Sequence, residues 1–520
     1  SLQGAYRPTA AVNQRSSRFR HASRLIVVAL VATLCAVAGP VLGAPQVTYA
    51  AESSMVDYSV TLGTNQYFYA NDTAALDQTG DLTVELWVKP TDICPSTECV
   101  LLTKDHAYIF GIRSGTIQYA LSNTTPNNWS WQPTYITPRA NVWQHIAFSV
   151  SRATNTINVY YNGELAYTTT SSAAVPTTGP DTTLPFVVGG RYYNNTWQSF
   201  LPGSYDDVHL WSTTRTQAQI RTSMSSYVNS GSGLVGSWNF NDNSTTTVVN
   251  SVNPSDTATQ LTSAGGLTTS AWSDNKTVTT TSSSTVVKFT KSYITSQGGW
   301  SVPTGVNRVE YLVVAGGGGG GAGTDTSGWS GGGGGAGGYR TATNYSVTPG
   351  ATVTVTVGGG GTRGYLGAGT VGTRTNLLAS NGSASVFGSV STVGGGRGGQ
   401  DSPSVGAGNG GGDGGSGGGE GTYGSSTSSP GNGTAGEGNN GGAAYSGCCA
   451  AGGGGGSAGA GGAAASSVAG GAAGNGTSNS ITGSSVWYAA GGAGQGASTA
   501  GAAGSSGGVA VGTSATDGTG

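Results

Sequence analysis

Between Leu82 and Pro90 the chain alternates. Leu82, Val84, Leu86 and Val88 fall on one side of an extended backbone, and Thr83, Glu85 and Trp87 fall on the other. A period of two predicts a β-strand, because successive side chains leave a strand on opposite faces. Short runs rich in aromatic and β-branched residues recur from Asp57 to about Asn275, each bounded by turn residues, which predicts an antiparallel sandwich. VWQHIAFSV and SYDDVHLWS supply two such strands, and TINVYYNGELAYTTT supplies a pair around Asn162-Gly163, a strong two-residue hairpin signal. One short helix is expected around Thr216 to Met224, where Gln217, Ile220 and Met224 share a face.

From Val309 the pattern changes. VEYLVVAGGGGGG runs from an apolar strand into six consecutive glycines, and further Gly runs follow at 331–335, 358–361 and 452–456. Glycine loses the most conformational entropy on folding, so such runs are either flexible linkers or very well paired. Tyr339, the alternating Val353 to Val357, Val386, Phe387, Trp487 and Tyr488 interrupt the glycines, and a linker has no use for them. A strict Gly-X-Y period is missing and Pro is only 17 of 520, which excludes collagen.

Only 8% of the residues are charged, and the net charge is −2. No basic face exists to neutralise phosphates, so nucleic acid is excluded as a partner. A nearly uncharged Ser/Thr/Asn/Gly-rich surface suits an extracellular protein. Arg15, Arg18, Arg20 and Arg24 precede the apolar run from Leu25 to Ala44, which is broken by Gly39-Pro40 and followed by Thr48-Tyr49-Ala50. This reads as a secretory signal peptide cleaved near Ala50, leaving no membrane span; a signal anchor is the alternative. In that compartment Cys94 and Cys99 are expected to form a local disulfide. For Cys448-Cys449, a strained vicinal bridge, a buried reduced pair and an intermolecular bridge all stay open.

TGDLTVELWVKP, NVWQHIAFSV, INVYYNGELAY, FVVGGRYY, GSYDDVHLWSTTRTQAQI and GLVGSWNFND occur in that order. Together they resemble the LamG-like jelly roll, the concanavalin A-like sandwich, with Asn162 where relatives usually carry Asp. TSQGGWSVPTGVNRVEYLVVAGGGGGG, GGGGGAGGYR, VTPGATVTVTVGGGG, ASVFGSVSTVGGGRGG and VWYAAGGAGQG resemble the bacterial and phage glycine-rich domain of surface proteins and tail-fibre adhesins. That second resemblance implies packed polyglycine-II helices, and a closing apolar strand that this chain lacks. The expected organisation is all-β: a signal peptide over 1–50, a LamG-like sandwich over 51–275, a Thr/Ser-rich linker over 276–285, and a glycine-rich domain over 286–520, truncated at its C-terminus.

The concanavalin A-like fold also carries glycoside hydrolases, which need two carboxylates at a fixed separation. Glu85 stands alone on its strand, Glu98 lies in the Cys loop, Glu164 sits in a hairpin, and Asp206-Asp207 are neighbours expected to point to opposite faces. His145 reads as a strand residue with a satisfied ring. No nucleophile constellation, P-loop or zinc spacing is present, so an enzyme is the alternative reading, as is a purely structural spacer. No cofactor is expected, structural Ca²⁺ near Asp206 being the sole candidate.

Two loop-like stretches concentrate rings among amides: Asn127 to Gln132, with Trp129 and Trp131, and Arg191 to Trp197, with Tyr192, Tyr193 and Trp197. Sugars stack their apolar faces on such rings while Asn, Gln and Arg bond the hydroxyls; the bland alternative is core or edge packing. The expectation is a secreted, non-enzymatic, adhesin-like protein binding a glycan or an extracellular protein.

Overall fold

The computed structural model describes residues 58–504, apart from 127, 243, 275, 281–283, 291–299, 324–329, 367–375, 401–409, 423–427 and 447–448, together with the strands Ser23–Ala29 and Ala32–Val37. The first folded unit is a sandwich of two sheets in which every pairing is antiparallel. One sheet runs in the order Glu164–Thr170, Thr156–Tyr161, Gln144–Ser151, Leu82–Pro90, Gly203–Trp211, Tyr58–Leu62 and Trp272–Asp274. The facing sheet runs Thr247–Val248, Leu261–Ala264, Tyr67–Ala70, Phe186–Val188, Glu98–Lys104, Tyr108–Arg113, Thr116–Leu121 and Gln132–Pro133.

The alternation of Leu82–Pro90 sets the layers. Leu82, Val84, Leu86 and Val88 enter the core between the sheets, where they meet Phe110, Phe148, Tyr205 and Trp238. Each large apolar side chain removed from water there contributes about 1.5–3 kcal/mol. Asn162 and Gly163 have φ of 51° and 79°, the positive pair that a type I′ hairpin turn requires. The expected helix spans Gln217–Ser223, with Thr216 and Gln219 forming a capping box and Ile220 buried beneath it.

Within 276–285, read as a linker, Lys276–Thr280 is a strand that pairs antiparallel with Ser284–Phe289. Beyond it, Val306–Val314 pairs with Tyr339–Ser346 and, in parallel, with Ser23–Ala29. Ser23–Ala29 and Ala32–Val37 are the described parts of the expected leader; the rest of 1–50 and the end of the chain, 505–520, lie outside the described residues. No described helix is long and apolar enough to cross a membrane.

In the glycine-rich unit the backbone repeats every three residues. Ala315, Gly318 and Gly321 donate to Gly338, Gly335 and Gly332; Gly316 and Gly319 donate to Ser383 and Ser380; Gly317 and Gly320 accept from Gly361 and Gly364. Three neighbours addressed in rotation by successive residues describe a three-fold helix of the polyglycine-II kind, stacked against others. Glycine is required by contact: a Cβ on Gly316, Gly318 or Gly319 would lie 2.0, 2.2 or 1.8 Å from a neighbouring carbonyl oxygen. A conventional apolar cluster of Trp300, Val309, Tyr311, Val355 and Phe387 closes one side of this lattice, and Leu312, Val314, Ile481 and Ala489 pack along another.

Candidate functional site

The outer face of the second sheet carries both predicted aromatic stretches. Trp129 and Trp131 lie half-buried against Val100, Ile109 and Ala120. Gly111 lies beneath Trp131, and a Cβ there would sit 2.5 Å from the Cys99 carbonyl oxygen of the neighbouring strand. Arg191–Tyr193 pairs with Thr196–Gln198 around Asn194-Asn195, both at positive φ, in a small hairpin that stands on the same face.

Alternation sorts the hairpin's side chains. Tyr192 and Trp197 are register partners, with ring centroids 4.7 Å apart, and Trp197 stacks on Tyr67 at 4.2 Å and tilts over Tyr69 at 5.5 Å. Arg191 and Tyr193 face the other way: the guanidinium lies 4.2 Å from the Tyr193 ring and 5.5 Å from that of Trp129. His106 meets Tyr193 edge-on at 5.9 Å. Arg191 therefore joins two stretches more than sixty residues apart in sequence. All five predicted rings, Trp129, Trp131, Tyr192, Tyr193 and Trp197, are half-buried, and Asn128, Asn194 and Asn195 are exposed beside them.

Arg191, which the sequence offered as a donor to sugar hydroxyls, is engaged by two carboxylates instead. Its Nε donates to Asp105 Oδ2 at 2.5 Å, and its Nη1 donates to Glu98 Oε1 at 2.9 Å. Burial alone would lower its pKa, but Asp105 and Glu98 outweigh that and hold it above the ordinary value. Ser199 adds a second hydrogen bond to Glu98 at 3.1 Å. Cys94 and Cys99 are disulfide-bonded, which braces the loop leading into Glu98. Asp105, Tyr67, Tyr69 and His106 were missed in the sequence, where Glu98 figured only as a carboxylate of the Cys loop. Tyr67-Phe68-Tyr69 was the available signal, since alternation puts its two tyrosines on one face.

A second polar cluster lies on the outer face of the first sheet, closed off by the helix. Glu85 does not stand alone: His209 Nδ1 is 3.5 Å and His145 Nε2 3.6 Å from its carboxylate. Trp211 and Ser223 donate to it at 2.8 and 2.6 Å. All three titratable groups are fully buried, so no substrate reaches them. Asp206 lies opposite Trp87 in the ladder, a register shift follows it, Asp207 has φ of 46°, and both carboxylates are buried. Among the described residues no group of three or more His, Cys, Asp and Glu could hold a metal ion. Cys449 is in a disulfide, which removes the reduced pair, while Cys448 lies outside the described residues.

Residues 62–221 match the concanavalin A-like lectin/glucanases superfamily, and residues 294–520 match the glycine-rich domain. None of the curated proteins matches significantly. Among solved structures, a candidate carbohydrate binding protein from Bacteroides ovatus ATCC 8483 is similar at 13% identity and TM-score 0.35, over 47% of this chain and 68% of that one. Domain 4 of AbnA, a GH43 extracellular arabinanase from Geobacillus stearothermophilus in complex with arabinotriose, is similar at 19% identity and TM-score 0.24, over 32% of this chain and 86% of that one. The CBM40 of the Ruminococcus gnavus IT-sialidase, bound to α2,3 sialyllactose, is similar at 13% identity and TM-score 0.25, over 33% of this chain and 100% of that one.

Proposed function

We propose that this chain, a concanavalin A-like domain followed by a glycine-rich domain, is a secreted or surface-exposed adhesin-like protein that binds a glycan on the aromatic face around Arg191. The observation that carries the reading is the convergence of Trp129 and Tyr193 on one guanidinium. Arg191 fixes two rings from distant stretches beside exposed amides, and preorganised rings next to hydrogen-bonding groups are what a saccharide's mixed surface demands. The glycine lattice, held by backbone bonds with little side-chain bulk, serves as a rigid support that displays the sandwich.

A hydrolase is disfavoured by the same geometry. Glu98 and Asp105 are the carboxylates on this face, and the guanidinium of Arg191 fills the space between them where a sugar would have to lie. Incubating the full chain on a glycan array, with release of reducing ends measured in parallel, tests both statements. Retention of saccharides without cleavage is expected; turnover of a bound polysaccharide would overturn the non-enzymatic part, and an array without signal would overturn glycan binding.

A further inference from the structure

The arginines on the aromatic face are matched in number by carboxylates. Arg191 is held between Asp105 and Glu98, and its side chain is only 10% exposed. Arg113, the exposed cross-strand partner of Glu98, is the one other arginine on these strands. Lys104 is fully buried, its ammonium bound by Asp72 and Asp77 and by the carbonyls of Thr182 and Leu184. Two arginines against Glu98 and Asp105 leave no surplus positive charge, and the side of Glu98 that remains open to solvent is an acceptor.

From this balance, and resting on the glycan-binding reading above, we infer that the ligand is an electrically neutral saccharide. A sugar carboxylate or sulfate would have to approach Glu98 with no cation in surplus, and juxtaposed like charges are strongly disfavoured across an interface. A neutral sugar asks for what the face offers: the rings of Trp129, Trp131 and Tyr193 for its C–H surfaces, and the amides of Asn128, Asn194 and Asn195 for its hydroxyls. Arg191 acts here as a positioning residue, setting ring geometry while its Nε, Nη1 and Nη2 each donate to a carboxylate.

Calorimetric titration of the full chain tests this with neutral probes (arabinotriose, xylotetraose, lactose) and acidic ones (3′-sialyllactose, trigalacturonic acid, a heparin tetrasaccharide), each at low and high NaCl. At least one neutral probe is expected to bind about tenfold more tightly than every acidic probe, with an affinity insensitive to salt. An acidic probe that binds best and weakens with salt would overturn the inference while leaving glycan binding intact. Binding of none of them would overturn both.

Two variants read the charge directly. Glu98→Gln removes a negative charge, and Asn128→Lys, read against Asn128→Gln, adds a positive one at an exposed position. Each is expected to shift the ratio of acidic to neutral affinity several-fold toward acidic probes. A ratio unchanged in the folded Asn128→Lys protein would contradict the charge argument even if Glu98→Gln fails to fold.

Discussion

The side-chain amide of Asn162 donates to the carbonyl of Gly360 at 2.7 Å, tying the sandwich's hairpin turn to the glycine lattice. The same residue accepts from the His145 backbone at 2.9 Å, and its carbonyl accepts from Ser383 at 3.2 Å. Tyr135 stacks on Tyr365 across the same junction, centroids 4.3 Å apart. Asp, which similar sandwiches usually carry at this turn, would set an acceptor against the Gly360 carbonyl. Asn162→Asp is therefore expected to cost about 1–3 kcal/mol and to speed proteolysis between the two units. Cleavage at the wild-type rate would show that the contact contributes nothing.

The glycine lattice makes a position-specific prediction. A Cβ on Gly332 would lie 2.1 Å from the Gly419 carbonyl oxygen, whereas one on Gly360 would find its nearest atom at an ordinary 3.7 Å. Gly332→Ala should destabilise the glycine-rich unit by about 1–3 kcal/mol through overpacking, and Gly360→Ala should leave it near neutral. Equal denaturation midpoints for the two variants would contradict the stacked arrangement.

Acid should weaken the sandwich through Glu85. Burial alone would raise its pKa, but His209 and His145 beside it and the Ser223 hydroxyl outweigh burial and hold it below the ordinary value. A folded pKa below the unfolded one, about 4.3, means the stabilisation is complete above that pH and is lost as pH falls through the folded value. Glu85→Gln should flatten the pH dependence of stability in that acid range. It should also cost about 3–5 kcal/mol at neutral pH by leaving the buried partners uncompensated. Chemical denaturation at pH 3, 4 and 7 measures both effects.

The Cys94–Cys99 bridge closes a short loop, for which constraint of the unfolded chain gives about 2 kcal/mol. Non-reducing mass spectrometry should recover the two cysteines as a linked peptide. Reduction should lower the melting temperature and loosen Glu98, weakening saccharide binding along with it; melting curves and titrations with and without reductant check this.

The layers were legible because their signals are local. The alternation through Val88, the Asn162-Gly163 turn and the Thr216 cap with buried Ile220 each depend on a few consecutive residues. Glu85 looked solitary because its partners arrive by strand register: Glu85 pairs with His209 on one side, and His145 approaches from the other neighbouring strand. Arg191 could be read as a free donor, since nothing in its own stretch reveals Glu98 and Asp105 on the strand and hairpin beneath it. Asp206-Asp207 reads as a simple alternating pair because the register shift after Asp206 and the positive φ of Asp207 are invisible to a period of two.

In the proposed glycan site Trp129 and Trp131, which lie over Val100, Ile109 and Ala120, are the ligand platforms. Titration of the full chain with its tightest-binding oligosaccharide, comparing the wild type with Trp129→Ala/Trp131→Ala, tests this directly. The expected result is an affinity loss of about 2–4 kcal/mol with a melting temperature lowered by only a few degrees, because both rings are half-buried on an outer face. Unchanged affinity in a folded double variant would contradict it.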